Sequence, residues 1–532
     1  MNTGDHFDFV IVGGGTAGCV LASRLTELAD ASVLLLEAGH RDRNPLIHVP
    51  VGFAKMTSGP FTWGLKTVPQ RHAENREIPY AQAKVIGGGS SINALVFTRG
   101  NPMDYDRWAN EEGCPGWSFA EIQQYFLRSE GNSILSGSYH GTEGPLGVSN
   151  IPDPQGMTRA FLQACQQTGM PYNPDFNGAV QEGAGAYQTT TRNGRRCSAA
   201  VGYLTPALGR SNLTVRTDCV VHRIDLDGNR ATGVTYQRGG KLVSVSAGSE
   251  IIITAGAVGS PKLMLLSGIG PAGELKRHDI EVKNELQGVG KNLSDHFGVD
   301  IVAELNGPKS LDKYGRFPLM YWAALQYAMF RSGPVTSNVV EGGAFWYADT
   351  SNEVPDLQFH FLAGAGAEEG VPGVPSGSGI TLNSYTLRPR SRGEITLRSA
   401  NPKDQAMVNP NFLAEPEDVK TSSEGVRISC EIFSQPALRK HIRRMHNPAE
   451  TPPDADGFAD YARQYGRTSY HPNGTCKMGT DPMAVVDPEL RVRGIDGLRI
   501  CDSSIFPSLI GSNTNAPTIM VAEKAADLIR GN

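Results

Sequence analysis

The stretch Phe7 to Gly39 constrains this chain more than any other. An apolar, β-branched run from Phe7 to Val12 enters Gly13-Gly14-Gly15-Thr16-Ala17-Gly18. A helical stripe of Ala17, Val20, Leu21, Leu25 and Leu28 follows, with Arg24 and Glu27 turned away, and then a second apolar run, Val33 to Leu36, stops at Glu37 and Ala38. Strand, glycine turn, amphipathic helix and strand in this order predict a βαβ dinucleotide cradle. Gly13 serves the tight turn, Gly15 lets backbone N–H groups approach a pyrophosphate at the helix N-terminus, and Gly18 permits close helix–strand packing. Glu37, about 20 residues on, is placed to accept from an adenosine ribose. The motif alone does not separate NAD from FAD.

At 532 residues, with 39% hydrophobic and 19% charged residues, the chain is long enough for two domains. Its 49 Lys plus Arg against 54 acids give a net charge of −5, which argues against nucleic acid as a partner. Eight cysteines (19, 114, 165, 197, 219, 430, 476 and 501) are scattered without a CxxC pair or metal-ligand spacing, so neither a disulfide framework nor a metal site is expected. A cleavable signal peptide would consume the cradle itself, and a cytoplasmic protein is expected. No run of about 18 uncharged apolar residues appears, so no transmembrane helix is expected. Leu319 to Phe330 comes nearest; the first expectation for it is a packed helix, the second a membrane- or quinone-facing surface.

Residues 40–80, rich in Pro, Gly and aromatics, read as a long excursion. It ends in Ala83-Lys84-Val85-Ile86-Gly87-Gly88-Gly89-Ser90-Ser91-Ile92-Asn93, a stretch able to press backbone against a flat or phosphate-bearing ligand. Ala83 to Phe97 resembles the first signature of the glucose/methanol/choline (GMC) family of FAD-dependent oxidoreductases. Gly256-Ala257-Val258-Gly259-Ser260-Pro261 through Gly270 resembles its second. The resemblance runs from Phe9 to Leu528. It implies an α/β fold with a split Rossmann-type FAD domain (1–155, 190–299 and 455–532) and an α+β substrate domain with an antiparallel sheet (156–189 and 300–454).

The resemblance makes the cofactor FAD, held by Gly13, Gly15, Thr16, Ala17, Gly18, Glu37 and Ala38, by Gly87, Gly88, Ser91, Asn93 and Ala94 of the first signature, and by Val221, Asp502 and Thr518. Where some members carry a flavin-linking His, this chain has Ile92, which implies non-covalent FAD. It further implies His471, in Tyr470-His471-Pro472-Asn473-Gly474, as catalytic base, because an imidazole accepts a hydroxyl proton near neutral pH. Asn515 is the implied partner that orients the hydroxyl, while also serving as N-cap of the last helix. The end of that helix near Pro517 and Thr518 would turn free N–H groups toward the reduced flavin. The Gly-rich stretch 364–379, with Glu368 and Glu369, reads equally as a lid or a surface loop.

The implied activity is oxidation of a primary alcohol to an aldehyde, with a quinone-like or dye acceptor. Three stretches (Val51 to Pro60, Met329 to Tyr347 and Arg467 to His471) resemble the bacterial L-sorbose dehydrogenases of that family, which implies L-sorbose as substrate and L-sorbosone as product. Asn473, Ser337, Asn338, Glu341 and His360 are candidates for meeting a polyol. A medium-chain or aromatic primary alcohol is the alternative, and a hydroxynitrile lyase with non-redox FAD, or a flavin-binding protein without catalysis, lies further off.

Overall fold

The computed structural model describes residues 5–531. Two sheets organise them. In the first, the strands run in the order Leu213–Arg216, Val33–Leu36, His6–Val12, Lys241–Ile253, Arg230–Arg238, Cys219–Asp227, and Leu498–Ile500 also pairs with Lys241–Ile253. The pairs around His6–Val12 are parallel, with Val10 opposite Leu34 on one side and Ile251 on the other. These strands are covered on both faces, and accordingly read as continuous Val/Ile/Leu runs.

Lys241–Ile253 does two jobs along its length. Its first half closes an antiparallel hairpin with Arg230–Arg238, and its second half joins the parallel core. It ends in a continuous apolar run, whereas its first half alternates with polar residues opposite the hairpin partner. Helix Thr16–Leu25 packs against the last helix, Asn515–Arg530, so the two ends of the chain close one layer. Arg24 binds the buried Glu523 carboxylate at 2.8 Å, and Tyr203 donates to the same carboxylate at 2.8 Å.

The second sheet is antiparallel throughout: Ile442–Asn447, Phe297–Leu305, Gly379–Thr386, Leu357–Leu362, Val340–Trp346, Gly183–Ala186, with Arg467–Thr468 pairing to the start of Phe297–Leu305. Phe297–Gly298 and Arg467–Thr468 therefore belong to this sheet, although the sequence division assigned them to the flavin portion. A strand side chain alternates between faces. On Leu357–Leu362, residues 357, 359 and 361 face helices: Phe361 stacks on Phe161 of helix Gly156–Gln167 with centroids 4.6 Å apart. Residues 358, 360 and 362 point the other way, toward the cavity between the sheets. One face of this sheet is thus core, and the other is a wall of polar side chains.

Leu319–Phe330 is a helix, as its composition predicts, but it is not packed: only Ala323 and Tyr327 are buried. No helix among the described residues is long and apolar enough to cross a membrane.

Candidate active site

A cavity of about 390 Å³ runs between the sheets, from Glu37 and Val221 at one end to His471 and Asn513 at the other. Its first half is built of backbone. Gly13 sits at φ +114°, and a Cβ there would meet the Thr254 carbonyl at 2.5 Å, so only glycine fits this turn. Gly15 is the N-cap of helix Thr16–Leu25 and offers no side chain to the first-turn N–H groups, which leaves that end of the helix available to an anion. Gly88, at φ +54°, lets the second glycine loop approach within 2.7 Å of the Gly15 Cα from its own Cβ position. Gly13, Gly15, Thr16, Ala17, Glu37, Ala38, Gly88, Asn93, Ala94, Val221, Asp502 and Thr518 all line the cavity.

Three predicted residues stand behind that wall. A Cβ on Gly18 would meet the Gly13 carbonyl at 2.0 Å, and Gly18 serves helix–strand packing. Gly87 packs on Ser91, whose hydroxyl donates to the Ile86 carbonyl at 2.7 Å, so this pair shapes the loop. Arg196, which sequence reading missed, is fully buried and donates to the carbonyls of Ile47, Ser90 and Asn93 and to the Asn93 side chain, pinning the loop from behind. Burial pulls its guanidinium down to about 9. Nothing in local sequence marks an arginine whose partners are all carbonyls from another segment.

Two of the carboxylates that line the cavity, Glu37 and Asp502, are held by hydrogen bonds from the backbone around them. Glu37 accepts from the N–H groups of Gly14 and Gly39, each at 2.7 Å, and burial raises it to about 7. Asp502 accepts from Gly256 N–H at 2.9 Å, Ser260 Oγ at 2.6 Å and Ser504 N–H at 2.8 Å; burial raises it as well. Ile92 lines the same cavity and carries no nucleophile with which to bond a flavin.

The second half is built of side chains. Asp295 and His296, adjacent in the chain, clamp His471 from two directions. Asp295 Oδ1 accepts the His471 backbone N–H at 2.9 Å, and His296 Nδ1 lies 2.9 Å from His471 Nδ1. His296 Nε2 donates to the Leu387 carbonyl at 3.1 Å, which leaves its Nδ1 as the acceptor. His471 must then carry its proton on Nδ1, and its Nε2 keeps a lone pair. Burial lowers His471 to about 3 and His296 well below its ordinary value, so both rings are neutral. Tyr470, at φ +64°, bends the chain so that His471 reaches this position.

The amide against His471 belongs to Asn513, whose Nδ2 is 3.2 Å from His471 Nε2. It is not Asn515. The Asn515 side chain instead accepts from Thr16 Oγ1 at 3.3 Å, which ties the last helix to the first glycine cradle. Asn515 is also not the N-cap: Thr514 holds that position, and Asn515 is the first helical residue. The physical reason is rotation, since the chain turns between 513 and 515 and sends neighbouring amides in different directions. No side chain caps this end, and Thr518 N–H makes the first helical bond, to the Thr514 carbonyl at 3.0 Å, so the helix end offers the N–H groups of Asn515 and Ala516, not that of Thr518.

Asn513 is oriented by its carbonyl oxygen, which accepts from Thr98 Oγ1 at 3.0 Å and Gln358 Nε2 at 3.1 Å. Its NH₂ therefore faces His471. His360, 3.1 Å from both Gln358 Nε2 and Tyr385 OH, is lowered to about 3 by burial. Of the five polar residues expected to meet a polyol, only His360 lines the cavity. Asn473 donates to the Ser294 and His471 carbonyls, Ser337 to Glu341, and Asn338 to the Ala94 carbonyl, while Glu341 accepts from Gln155 N–H and Thr158.

Residues 7–298 match the N-terminal part of the GMC oxidoreductase family, and residues 389–522 its C-terminal part. The chain belongs to the GMC oxidoreductases. This GMC oxidoreductase is 40% identical over 528 residues to an alcohol dehydrogenase [acceptor] of Pseudomonas putida, covering 98% of this chain and 95% of the relative. It is 41% identical over 530 residues, with the same coverage, to an oxygen-dependent choline dehydrogenase of Sinorhizobium fredii. Among solved structures it superposes on pyridoxine 4-oxidase of Mesorbium loti with a TM-score of 0.90 at 29% identity. It also superposes on an FAD-dependent oxidoreductase of Chaetomium thermophilum with 0.91 at 26%, each covering 99% of both chains. The GMC oxidoreductase is accordingly an FAD enzyme that oxidises alcohols, and the backbone-lined half of its cavity, an elongated groove ending at a helix N-terminus, suits that dinucleotide.

Proposed function

We propose that this GMC oxidoreductase converts a primary alcohol to its aldehyde, with His471 as general base and Asn513 as the group that orients the hydroxyl. What carries this reading is the chain Leu387 carbonyl, His296, His471, Asn513: it leaves His471 Nε2 as a neutral acceptor beside an amide N–H donor. A hydroxyl oxygen accepting from Asn513 would turn its proton to that lone pair. His296 holds the tautomer, and Asp295 holds the backbone. Bound FAD supplies the hydride acceptor. Glu37, Ala38 and Val221 would meet its adenosine end, the Gly13–Ala17 turn its pyrophosphate, Asp502 its ribityl chain, and the Asn515–Ala516 end of the last helix its negative end when reduced. With Ile92 at the linking position the flavin is dissociable: acid denaturation releases it, and yellow that stays with the precipitate would refute this.

For the substrate we propose a hydroxylated one, with L-sorbose to L-sorbosone as the specific case. Support comes from the cavity wall beside His471, where the buried Ser469 Oγ has no hydrogen-bond partner among the described residues and Asn383 stands next to it across Gly298. A site with such groups favours substrates carrying hydroxyls over analogues that lack them. The second reading, a medium-chain or aromatic alcohol, is supported by Phe53 and Leu362 on the wall and by the Pseudomonas putida relative. A choline-type cation fits less well, since Glu368 on that wall is already paired with Arg467 at 2.6 Å. That relative is named for its acceptor, which supports a quinone-like or dye acceptor here.

The test is kcat/KM for L-sorbose, D-sorbitol, 1-hexanol and benzyl alcohol with one dye, together with anaerobic bleaching of the flavin band near about 450 nm. Hexanol or benzyl alcohol clearly outpacing L-sorbose would end the sugar reading, and no bleaching with any alcohol would end the reaction itself.

A further inference from the structure

The helix Leu319–Phe330 and the turn before it form an exposed aromatic surface. Phe317 is 80% exposed, Phe330 68% and Trp322 65%, and Met320, Tyr321, Leu325 and Met329 stand out with them. Its exposed side chains are apolar apart from Gln326, so it lacks the charged outer face of an ordinary surface helix. Contiguous apolar surface of this kind marks an interaction site.

Charge identifies the occupant. Lys309, Lys313, Arg316 and Arg331 flank the helix, and among the described residues none of them has a carboxylate within 4.0 Å. Arg195 belongs to the same patch, since the neighbouring Gly194 carbonyl accepts from Tyr327 OH at 3.1 Å. The acid within the segment, Asp312, is engaged by Ser310 and by the N–H groups of Ala365 and Gly379, and Asp153 at the far end accepts from Gly333 N–H. A protein of net charge −5 thus carries a local cluster of cations around its most exposed aromatics. A second copy meeting this patch across a twofold axis would bring those cations together, whereas an anionic lipid surface would neutralise them.

We infer that Phe317–Arg331 is a membrane-docking element, laying its Trp, Tyr and Phe side chains into the headgroup region of an anionic bilayer while the basic residues meet lipid phosphates. The element also flanks the rim of the flavin cavity. Arg316 donates to the Ser376 carbonyl of the loop that carries Glu368 onto the cavity wall. The helix packs on the turn Pro334–Thr336, which packs on Pro50–Lys55, the source of Phe53 on that wall. Docking therefore turns the cavity rim toward the lipid, where an amphiphilic electron acceptor dissolves. The inference is independent of which alcohol is oxidised.

The experiment is sedimentation of the FAD-loaded full chain with phosphatidylcholine vesicles, with and without about one-third phosphatidylglycerol. Wild type is expected to pellet with the anionic vesicles, less so as salt rises. Two combined variants, Trp322→Ser with Met329→Ser and Phe330→Ser, and Lys309→Glu with Lys313→Glu and Arg331→Glu, are each expected to lose at least tenfold in vesicle affinity while keeping flavin and dye-linked turnover in solution. Wild type left in the supernatant would overturn the inference, as would unchanged vesicle binding by both variants. A dimer in light scattering that the Ser variant dissociates, without vesicle binding by wild type, would assign the patch to a second copy instead. Because the readout is sedimentation, its failure leaves the proposed chemistry untouched.

Discussion

The two halves of the cavity solve different problems with different materials. The flavin half uses glycines and free N–H groups within short stretches of chain, whereas the catalytic half uses side chains from strands and loops far apart in sequence, joined by hydrogen bonds. At Gly13 and Gly88 the backbone wall tolerates no added atom, because a Cβ there has nowhere to go. A side-chain wall tolerates replacement sterically but loses a proton-handling group. Predictions that separate the two run from abolished cofactor binding down to shifts in pH dependence.

The largest effect is expected in the backbone half. Gly88→Val places a side chain against the Gly15 Cα, 2.7 Å from where a Cβ would stand, in a conformation that β-branched residues avoid. The protein should purify without flavin, read from its visible spectrum. A yellow Gly88→Val protein would remove the distinction between the halves.

His471→Ala should keep its flavin and lose about 10²-fold or more in kcat, the usual scale for a general base. Near-normal turnover would show that the base lies elsewhere.

The sharpest comparison within the catalytic half is between two asparagines. Asn513→Ala should lower kcat/KM by about tenfold or more, the scale of a lost hydrogen bond near charge development, with flavin retained. Asn515→Ala should act on flavin affinity and on stability by about 1 kcal/mol, through its bond to Thr16, with smaller change in kcat. Melting curves beside the kinetics separate the two, and equal kinetic losses would undo the assignment of Asn513.

The smallest expected effect concerns pH. A base must be neutral to work, and burial lowers His471 from an ordinary 6.5 to about 3. Activity should therefore hold as pH falls through 6.5 and decline only well below it, measured as kcat/KM in buffers from neutral to acidic. An acid limb at or above 6.5 would show that substrate and flavin reverse the effect of burial. His296→Phe, which removes the Nδ1 acceptor, should release His471 to either tautomer and lower kcat with little change in KM.

The cradle from Phe7 to Glu37 and both glycine signatures were legible in the sequence because their function is local: turn, strand and helix follow within a few residues, and a glycine is conspicuous. That His471 would stand on the cavity wall was legible by resemblance. Asn513 was not distinguished from Asn515, because two amides two residues apart differ only in the direction the chain gives them. His296 carries no mark in its local sequence, because what gives it a role is Leu387 and His471, 91 and 175 residues away. The Leu319–Phe330 helix shows the converse, since its composition fixed its form and yet suggested burial that the fold does not provide.

By itself the sequence determined the βαβ cradle, which rests on short-range geometry and on the period of apolar residues, and its resemblance to the GMC family implied the two-sheet plan. Only the tertiary structure decided which amide faces the base, which imidazole nitrogen is free, which polar residues reach the cavity and which apolar helix stays outside. Each of those depends on the direction of a side chain relative to segments tens to hundreds of residues distant, and local pattern carries no information about direction.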